Sequence, residues 1–240
     1  MRRIDLAPIR RAGLLSGVPE AELSRMLAPT FVQPLPEGAV LCRQGEKPEF
    51  LHIVVAGRVG LFGERGSDEA LIEIFRPGDA FILPAVALDM PSLVTARLLE
   101  EGRILMWPAA AFRGEARTNG RLAYSAMLQL CGYWRLLINQ LKDLKLLAAT
   151  ERLSNLLLSL APRRGGPAQV VLPGNRPLVA GMLGVAPQSL SRAFAALRPL
   201  GVSGGGREIA IADLNRLREA ACSHRLKRVP ASRAKTRTTR

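Results

Sequence analysis

Gln188, Ser191 and Arg192 place three hydrogen-bonding side chains within five residues. On a helix the spacing i, i+3, i+4 brings them to one face. Their chemistry suits base recognition: Arg bonds guanine bidentately, Gln bonds adenine bidentately, and Ser bonds a phosphate or a base edge. Ser189 lies among them, and Arg176 and Arg207 flank them in sequence as further candidate DNA contacts. A polar helix face is often simply solvated, so these residues decide nothing alone. The elements that would position them carry the argument.

The stretch "VAPQSLSRAFAALRPLG" (185–201) reads as a short helix. Pro187 suits the first helical position, where a missing N–H costs nothing. Leu190, Phe194 and Leu197 form an apolar stripe at i, i+4, i+7, and Gly201 is a stop signal. Upstream, "RPLVAGMLGV" (176–185) predicts a second short helix with Gly184 and Val185 in the turn. Two short helices joined by a tight turn form a helix-turn-helix, whose second helix enters the major groove of DNA. "GGGREIAIAD" (204–213) adds a Gly turn and an alternating strand, the pattern of a wing, with Arg207 near the DNA backbone. Charge agrees. The formal net charge is +14 and, from Ala149 onward, sixteen Arg and Lys face four acids. Such a bias favours a polyanionic partner, double-stranded DNA above a membrane surface.

The rest of the 240 residues predicts an α+β chain of several parts. Residues 6–28 read as short helices, with Pro19 near a helix start. From Phe31 to about Pro108, short apolar segments alternate with Gly, Pro and acidic turns, the pattern of a small antiparallel β-roll. Ala123, Met127, Leu130, Trp134, Leu137, Leu141 and Leu144 then step by 4 and 3, a heptad seam that predicts a dimerisation helix in a homodimer. The divisions expected are a sensor roll with N-terminal helices at 1–118, the dimerisation helix at 119–148, a winged helix-turn-helix at 149–222, and a basic disordered tail at 223–240. Thr150 is the expected N-cap of the helix after the seam.

Other function classes lack support. No nucleophile–base pair, paired carboxylates, phosphate loop or metal cluster appears, so an enzyme is not expected. Cys42, Cys131 and Cys222 are scattered without a C-x-x-C pattern, and His52 and His224 are the only histidines. Cys131 reads as a small buried hydrophobe rather than a redox switch. His52, on a predicted strand, reads as structural rather than as a metal ligand. No apolar run approaches the ~20 residues of a membrane span, and the N-terminus does not read as a secretory signal. A cytoplasmic, reducing location is expected.

Several ordered stretches resemble the Crp/Fnr family of bacterial transcription regulators. They are "RQGEKPEFLHIVVAGRVGLF", "FRPGDAF", "ATERLSNLLLSLA" and "LVAGMLGVAPQSLSRAFAALRPLGV…GREIAI". The resemblance runs from about residue 14 to about residue 217. It implies a β-roll of the cyclic-nucleotide-binding, jelly-roll type, a homodimer on palindromic DNA, and RNA polymerase as a partner. The Fnr branch carries Glu-x-x-Ser-Arg in the recognition helix. Here Ser191 and Arg192 match and Gln188 departs, so a TTG-N8-CAA-like site is implied with Arg192 on the guanine.

The resemblance also bears on the signal. Cyclic-AMP-binding members carry Gly-Glu and then Arg-Ser in the turn. This chain has Asp79 near the first and Pro91-Ser92 at the second, which argues against cyclic AMP. No cysteine precedes Cys42, which argues against an iron–sulfur cluster. What is left is similar to the nitric-oxide-responsive denitrification branch, in which haem is allowed, although no ligand pair is evident. Asp79, Phe81, Leu83, Pro91 and Ser92 are the candidate effector pocket. Control of denitrification or anaerobic genes by nitric oxide, oxygen limitation or redox state is the implied role. The alternative is a regulator that binds DNA constitutively and is controlled by its own abundance.

Overall fold

The computed structural model describes residues 13–15, 18–66, 68–162 and 165–227. The chain forms two compact units that part between Leu141 and Lys142.

In the first unit, α1 (Glu20–Met26) is followed by β1 (Phe31–Leu35), β2 (Val40–Cys42), β3 (Phe50–Ala56), β4 (Val59–Arg65), β5 (Asp68–Phe75) and β6 (Ala80–Phe81). Helix α2 (Leu83–Leu88), β7 (Thr95–Leu98), β8 (Gly102–Pro108), α3 (Ala109–Thr118) and α4 (Gly120–Leu146) complete the run, the residues of α4 from Lys142 on belonging to the second unit. Two antiparallel four-stranded sheets, ordered β1-β8-β3-β6 and β2-β7-β4-β5, make the roll. The sequence of β3 follows from its place. Leu51, Ile53 and Val55 join a core with Leu23, Phe112 and Leu122 from the helices. On the other face Val54 packs with Phe75 and Phe81 of the roll interior. A strand buried on both faces needs a near-continuous apolar run, and "FLHIVVA" is one apart from His52.

Helix α2 interrupts a stretch whose sequence predicts only strands and turns. It is bracketed by Ile82 and Asp89, the two described non-glycine residues with positive φ, 51° and 57°. Local periodicity cannot reveal such a turn, because it is fixed by contacts distant in sequence. Lys47 and Arg113 each pair with the Asp89 carboxylate at 2.9 Å.

Helix α4 starts at a side-chain cap: Asn119 Oδ1 accepts from the Arg121 and Leu122 N–H groups. One face lies on the roll through Leu122, Ala126 and Leu130. Gln129 Nε2 donates to the Ala80 carbonyl at 3.1 Å and to the Tyr133 hydroxyl at 2.6 Å. Of the heptad positions, Ala123 and Leu130 are half-buried, while Met127, Trp134, Leu137, Leu141 and Leu144 are exposed, Trp134 by 66 %. Cys131 is exposed beside them, a correction to its expected burial. It directly follows a seam position, which turns it off the face that packs on the roll.

The second unit comprises α5 (Ala149–Leu160), β9 (Ala168–Val171), α6 (Arg176–Met182), α7 (Pro187–Leu197), a 3₁₀ turn (Arg198–Leu200), β10 (Val202–Gly205), β11 (Glu208–Ile211) and α8 (Leu214–Lys227). Leu153, Leu157, Val179, Leu190, Leu197, Ile209 and Leu217 meet in its core. The sheet is antiparallel, ordered β10-β11-β9.

Two expectations are corrected here. Thr150 lies inside α5, whose N-cap is Ala148; the Glu151 carboxylate accepts from the Ala148 N–H at 2.6 Å and does the capping. Residues 223–227 belong to α8 rather than to a disordered tail. The remainder of the tail and the expected helix before residue 13 lie outside the described residues.

Candidate nucleic-acid interface

The helix-turn-helix is built by local chemistry. Asn175 caps α6 by accepting the Leu178 N–H at 3.1 Å. The turn depends on Gly184, at φ +58°, where a Cβ would come 2.5 Å from Leu144 Cδ2. Helix α7 opens on Pro187 with Ala186 as its N-cap. It gives way to the 3₁₀ turn, and Gly201, at φ +83°, turns the chain into β10.

Leu190, Ala193 and Leu197 are the buried face of α7. Gln188, Ser191 and Arg192 are exposed together and Ser189 is half-buried. Ser191 Oγ donates to the Pro187 carbonyl at 3.1 Å, which fixes the hydroxyl against the first turn. Phe194, expected in the buried stripe, is only half-buried, and the Arg176 guanidinium carbon lies 3.5 Å from its ring centre. A concavity of about 700 Å³ runs beside α7 toward the wing, lined by Arg176, Ser191, Phe194, Arg198 and Ser203 among others, with no acidic residue among the described residues of its wall. Arg198 is the residue that the sequence argument passed over. Its spacing of seven from Ser191, two helical turns, is the signal that points to it.

Arg207 sits in the turn between β10 and β11. It is exposed, and its Nε donates to the Leu172 carbonyl at 3.2 Å while Leu172 N–H bonds back to the Arg207 carbonyl at 2.8 Å. The wing arginine is therefore anchored to the strand edge.

In the first unit a cavity of about 410 Å³ is walled by β4, β5, α2, the loop after it and α4. Of the candidate effector residues, Leu83, Pro91 and Ser92 line it and Asp79 and Phe81 do not. The Asp79 carboxylate instead accepts the Arg76 N–H at 2.8 Å and holds its own turn. Phe81 is buried, stacked on His52 with ring centres 5.3 Å apart. Both His52 ring nitrogens are buried with no hydrogen-bond partner among the described residues, and burial pulls its pKa down to about 4, so the imidazole is neutral.

A family model described as the cyclic nucleotide-binding domain matches residues 32–119, and one described as the Crp-like helix-turn-helix domain matches residues 151–220. Together they span well over half of the chain, in this order. The chain belongs to the Crp/Fnr family of DNA-binding transcription regulators.

Solved structures are similar to this chain. A protein from Ruegeria pomeroyi, described as a candidate cyclic nucleotide binding protein, is 29 % identical, with 90 % of this chain and 96 % of that one covered at a TM-score of 0.61. For a CooA mutant from Carboxydothermus hydrogenoformans the values are 20 %, 82 %, 90 % and 0.70. FixK2 from Bradyrhizobium japonicum gives 19 %, 79 %, 96 % and 0.68. These last two are alike in fold. No curated protein sequence matches significantly.

The family makes haem worth testing against the residues present. Among the described residues the cavity wall holds no His or Cys, only the Met90 thioether as a soft donor, and no Lys or Arg to meet the propionates. His52 lies in the roll core, outside that wall. These residues do not fit haem. Among the described residues no group of three or more His, Cys, Asp or Glu could hold a metal ion, and no helix is long and apolar enough to cross a membrane.

Proposed function

We propose that this Crp/Fnr regulator acts in the cytoplasm as an effector-gated homodimer that reads a TTG-N8-CAA-like palindrome and acts on RNA polymerase at the promoters it binds. One observation carries the reading: Gln188, Ser191 and Arg192 are exposed on one face of α7 beside an acid-free concavity rimmed by Arg176 and Arg198. In the major groove Arg192 reads guanine and Gln188 reads adenine, the pairings that these side chains make bidentately. Ser189, Ser191, Arg176, Arg198 and Arg207 supply phosphate contacts, which fix register rather than sequence.

The exposed heptad positions of α4 support dimerisation. Met127, Trp134, Leu137, Leu141 and Leu144 form an apolar stripe that a second copy would cover. Two recognition helices brought together by such a seam suit a palindrome with half-sites one helical turn apart. Gating is a shift between two packings of the seam, driven by whatever binds one packing better. Nitric oxide, oxygen limitation or redox state as the primary signal, with denitrification or anaerobic genes as targets, rests on the sequence resemblance.

The test is binding of the purified full chain to a TTG-N8-CAA duplex and to a scrambled duplex of equal charge. Preference for the palindrome supports the proposal, and equal affinity for the two refutes base reading. Tight palindrome binding that no added effector changes would instead mean constitutive action set by abundance.

A further inference from the structure

We propose that the 410 Å³ cavity binds an uncharged, largely apolar small molecule rather than a cyclic nucleotide, and that Leu137 passes its occupancy to the dimer seam. The ligand class stands on the cavity wall alone; the seam coupling rests on the proposed dimer.

The wall settles the ligand's charge. Its polar side chains are Glu73, Ser92 and Tyr133, and each is already bonded within the protein. Ser92 Oγ donates to the Val94 carbonyl at 2.7 Å. The Tyr133 hydroxyl donates to the Ala80 carbonyl at 2.9 Å and accepts from Gln129. Glu73 accepts from the Ile74 N–H and from Gln140 Nε2, both at 2.9 Å. Among the described residues no Lys, Arg or His lines the space. A cyclic phosphate would lose its hydration with no cation to replace it and would face a carboxylate, and burying an unpaired anion is prohibitively costly. An uncharged apolar molecule meets no such cost, and the volume lies in the range of ligand pockets, about 300–1,000 Å³.

The wall also contains the parts of a switch. Leu137 is an exposed seam position and lines the cavity. Gln140, three residues along α4, ties that helix to β5 through Glu73. On the opposite side, α2 hangs between the left-handed residues Ile82 and Asp89. Non-glycine residues in that conformation store backbone strain, and such residues cluster at ligand clamps. A ligand between α2 and α4 therefore touches a strained element and a seam side chain at once.

The probe is N-phenyl-1-naphthylamine, a neutral molecule that brightens in apolar sites, titrated into the full chain. Saturable binding at one site per chain, with no competition from excess cyclic AMP, is expected. Ala85→Trp, which fills the cavity from α2, should weaken binding by ~10-fold or more through overpacking. Leu93→Arg is a second variant at a residue 87 % exposed, where folding is safe; it should also weaken the neutral probe. Circular dichroism checks that each variant is folded. Displacement of the probe by cyclic AMP, no saturable binding to the wild type, or binding unchanged in a folded Leu93→Arg would overturn the ligand class. Sedimentation equilibrium with and without probe reads the coupling: a shifted dimer dissociation constant supports it, and an unchanged constant at saturation overturns it. The same samples are titrated with the palindromic duplex. Loss of duplex preference with probe binding intact would strike down the proposed function and leave the cavity assignment standing.

Discussion

The guanidinium carbon of Arg176 sits 3.5 Å from the centre of the Phe194 ring. The first residue of α6 is thus pinned by a side chain from the third turn of α7, and it arrives at the rim of the concavity with little rotamer freedom left to lose. A cation over an aromatic face gains about 0.5–2 kcal/mol. Arg176→Ala and Phe194→Leu should each weaken binding to the palindromic duplex. The double variant should lose less than the sum of the two, because both remove the same contact. Fluorescence anisotropy at fixed salt measures the cycle. Strict additivity would mean that Phe194 only packs the domain.

Arg192→Ala should cost about 1–3 kcal/mol of specific binding, the value of one bidentate base contact, and leave binding to scrambled DNA nearly unchanged. Gln188→Glu should move the base preferred at its position from adenine toward cytosine, since a carboxylate accepts from the cytosine amino group but cannot donate to adenine N7. Selection from a duplex pool randomised at the half-sites reads both effects.

His52 predicts a pH dependence of stability. Its folded pKa, about 4, lies below the ordinary value of 6.5 because burial disfavours the charged ring. Above pH 6.5 both states are neutral. Between 6.5 and 4 only the unfolded chain takes up the proton, so stability falls as pH drops through that window and levels off below it. The full loss is about 3 kcal/mol. His52→Phe keeps a ring against Phe81 and should remove this part of the slope. Urea unfolding of both proteins from pH 7.5 to 4 isolates it, and parallel profiles would exclude His52 as the source.

Trp134→Glu and Leu141→Glu place charge on the exposed stripe of α4, away from the roll core. Each should convert the proposed dimer to monomers in sedimentation velocity without lowering the melting temperature of the roll by more than a few degrees. Binding to a full palindrome should drop far more than binding to a half-site, since two linked readers gain through effective concentration. A dimer that survives both substitutions would move the interface elsewhere.

Much of this was legible in the residues. Pro187, Gly184 and Gly201 announce the helix-turn-helix because each does something that few other residues can do in its place. The 4-3 stepping from Ala123 to Leu144 announces α4 because helix geometry is local. The partnership of Phe194 with Arg176 was not legible: an aromatic at i+4 from Leu190 fits a core stripe, against which Phe194 does pack, and the guanidinium that covers its ring lies on another helix. Asp79 was misplaced for a related reason. Its carboxylate serves its own turn, and sequence position alone does not distinguish a turn cap from a ligand contact. The cavity wall draws on segments 61–75, 82–94 and 133–137, and no local pattern could have assembled it.

Leu137 belongs to two surfaces at once, and that double membership has a consequence for control by dose. If the cavity's guest and the second copy of the chain both press on one side chain, guest and copy are linked thermodynamic variables, and each changes the affinity of the other by the same factor. For a guest that favours the paired form, a cell making more of the chain lowers the guest level needed for half-maximal response. Gene expression would then tune the sensor's threshold, and the chain's own abundance would become part of the signal it reports.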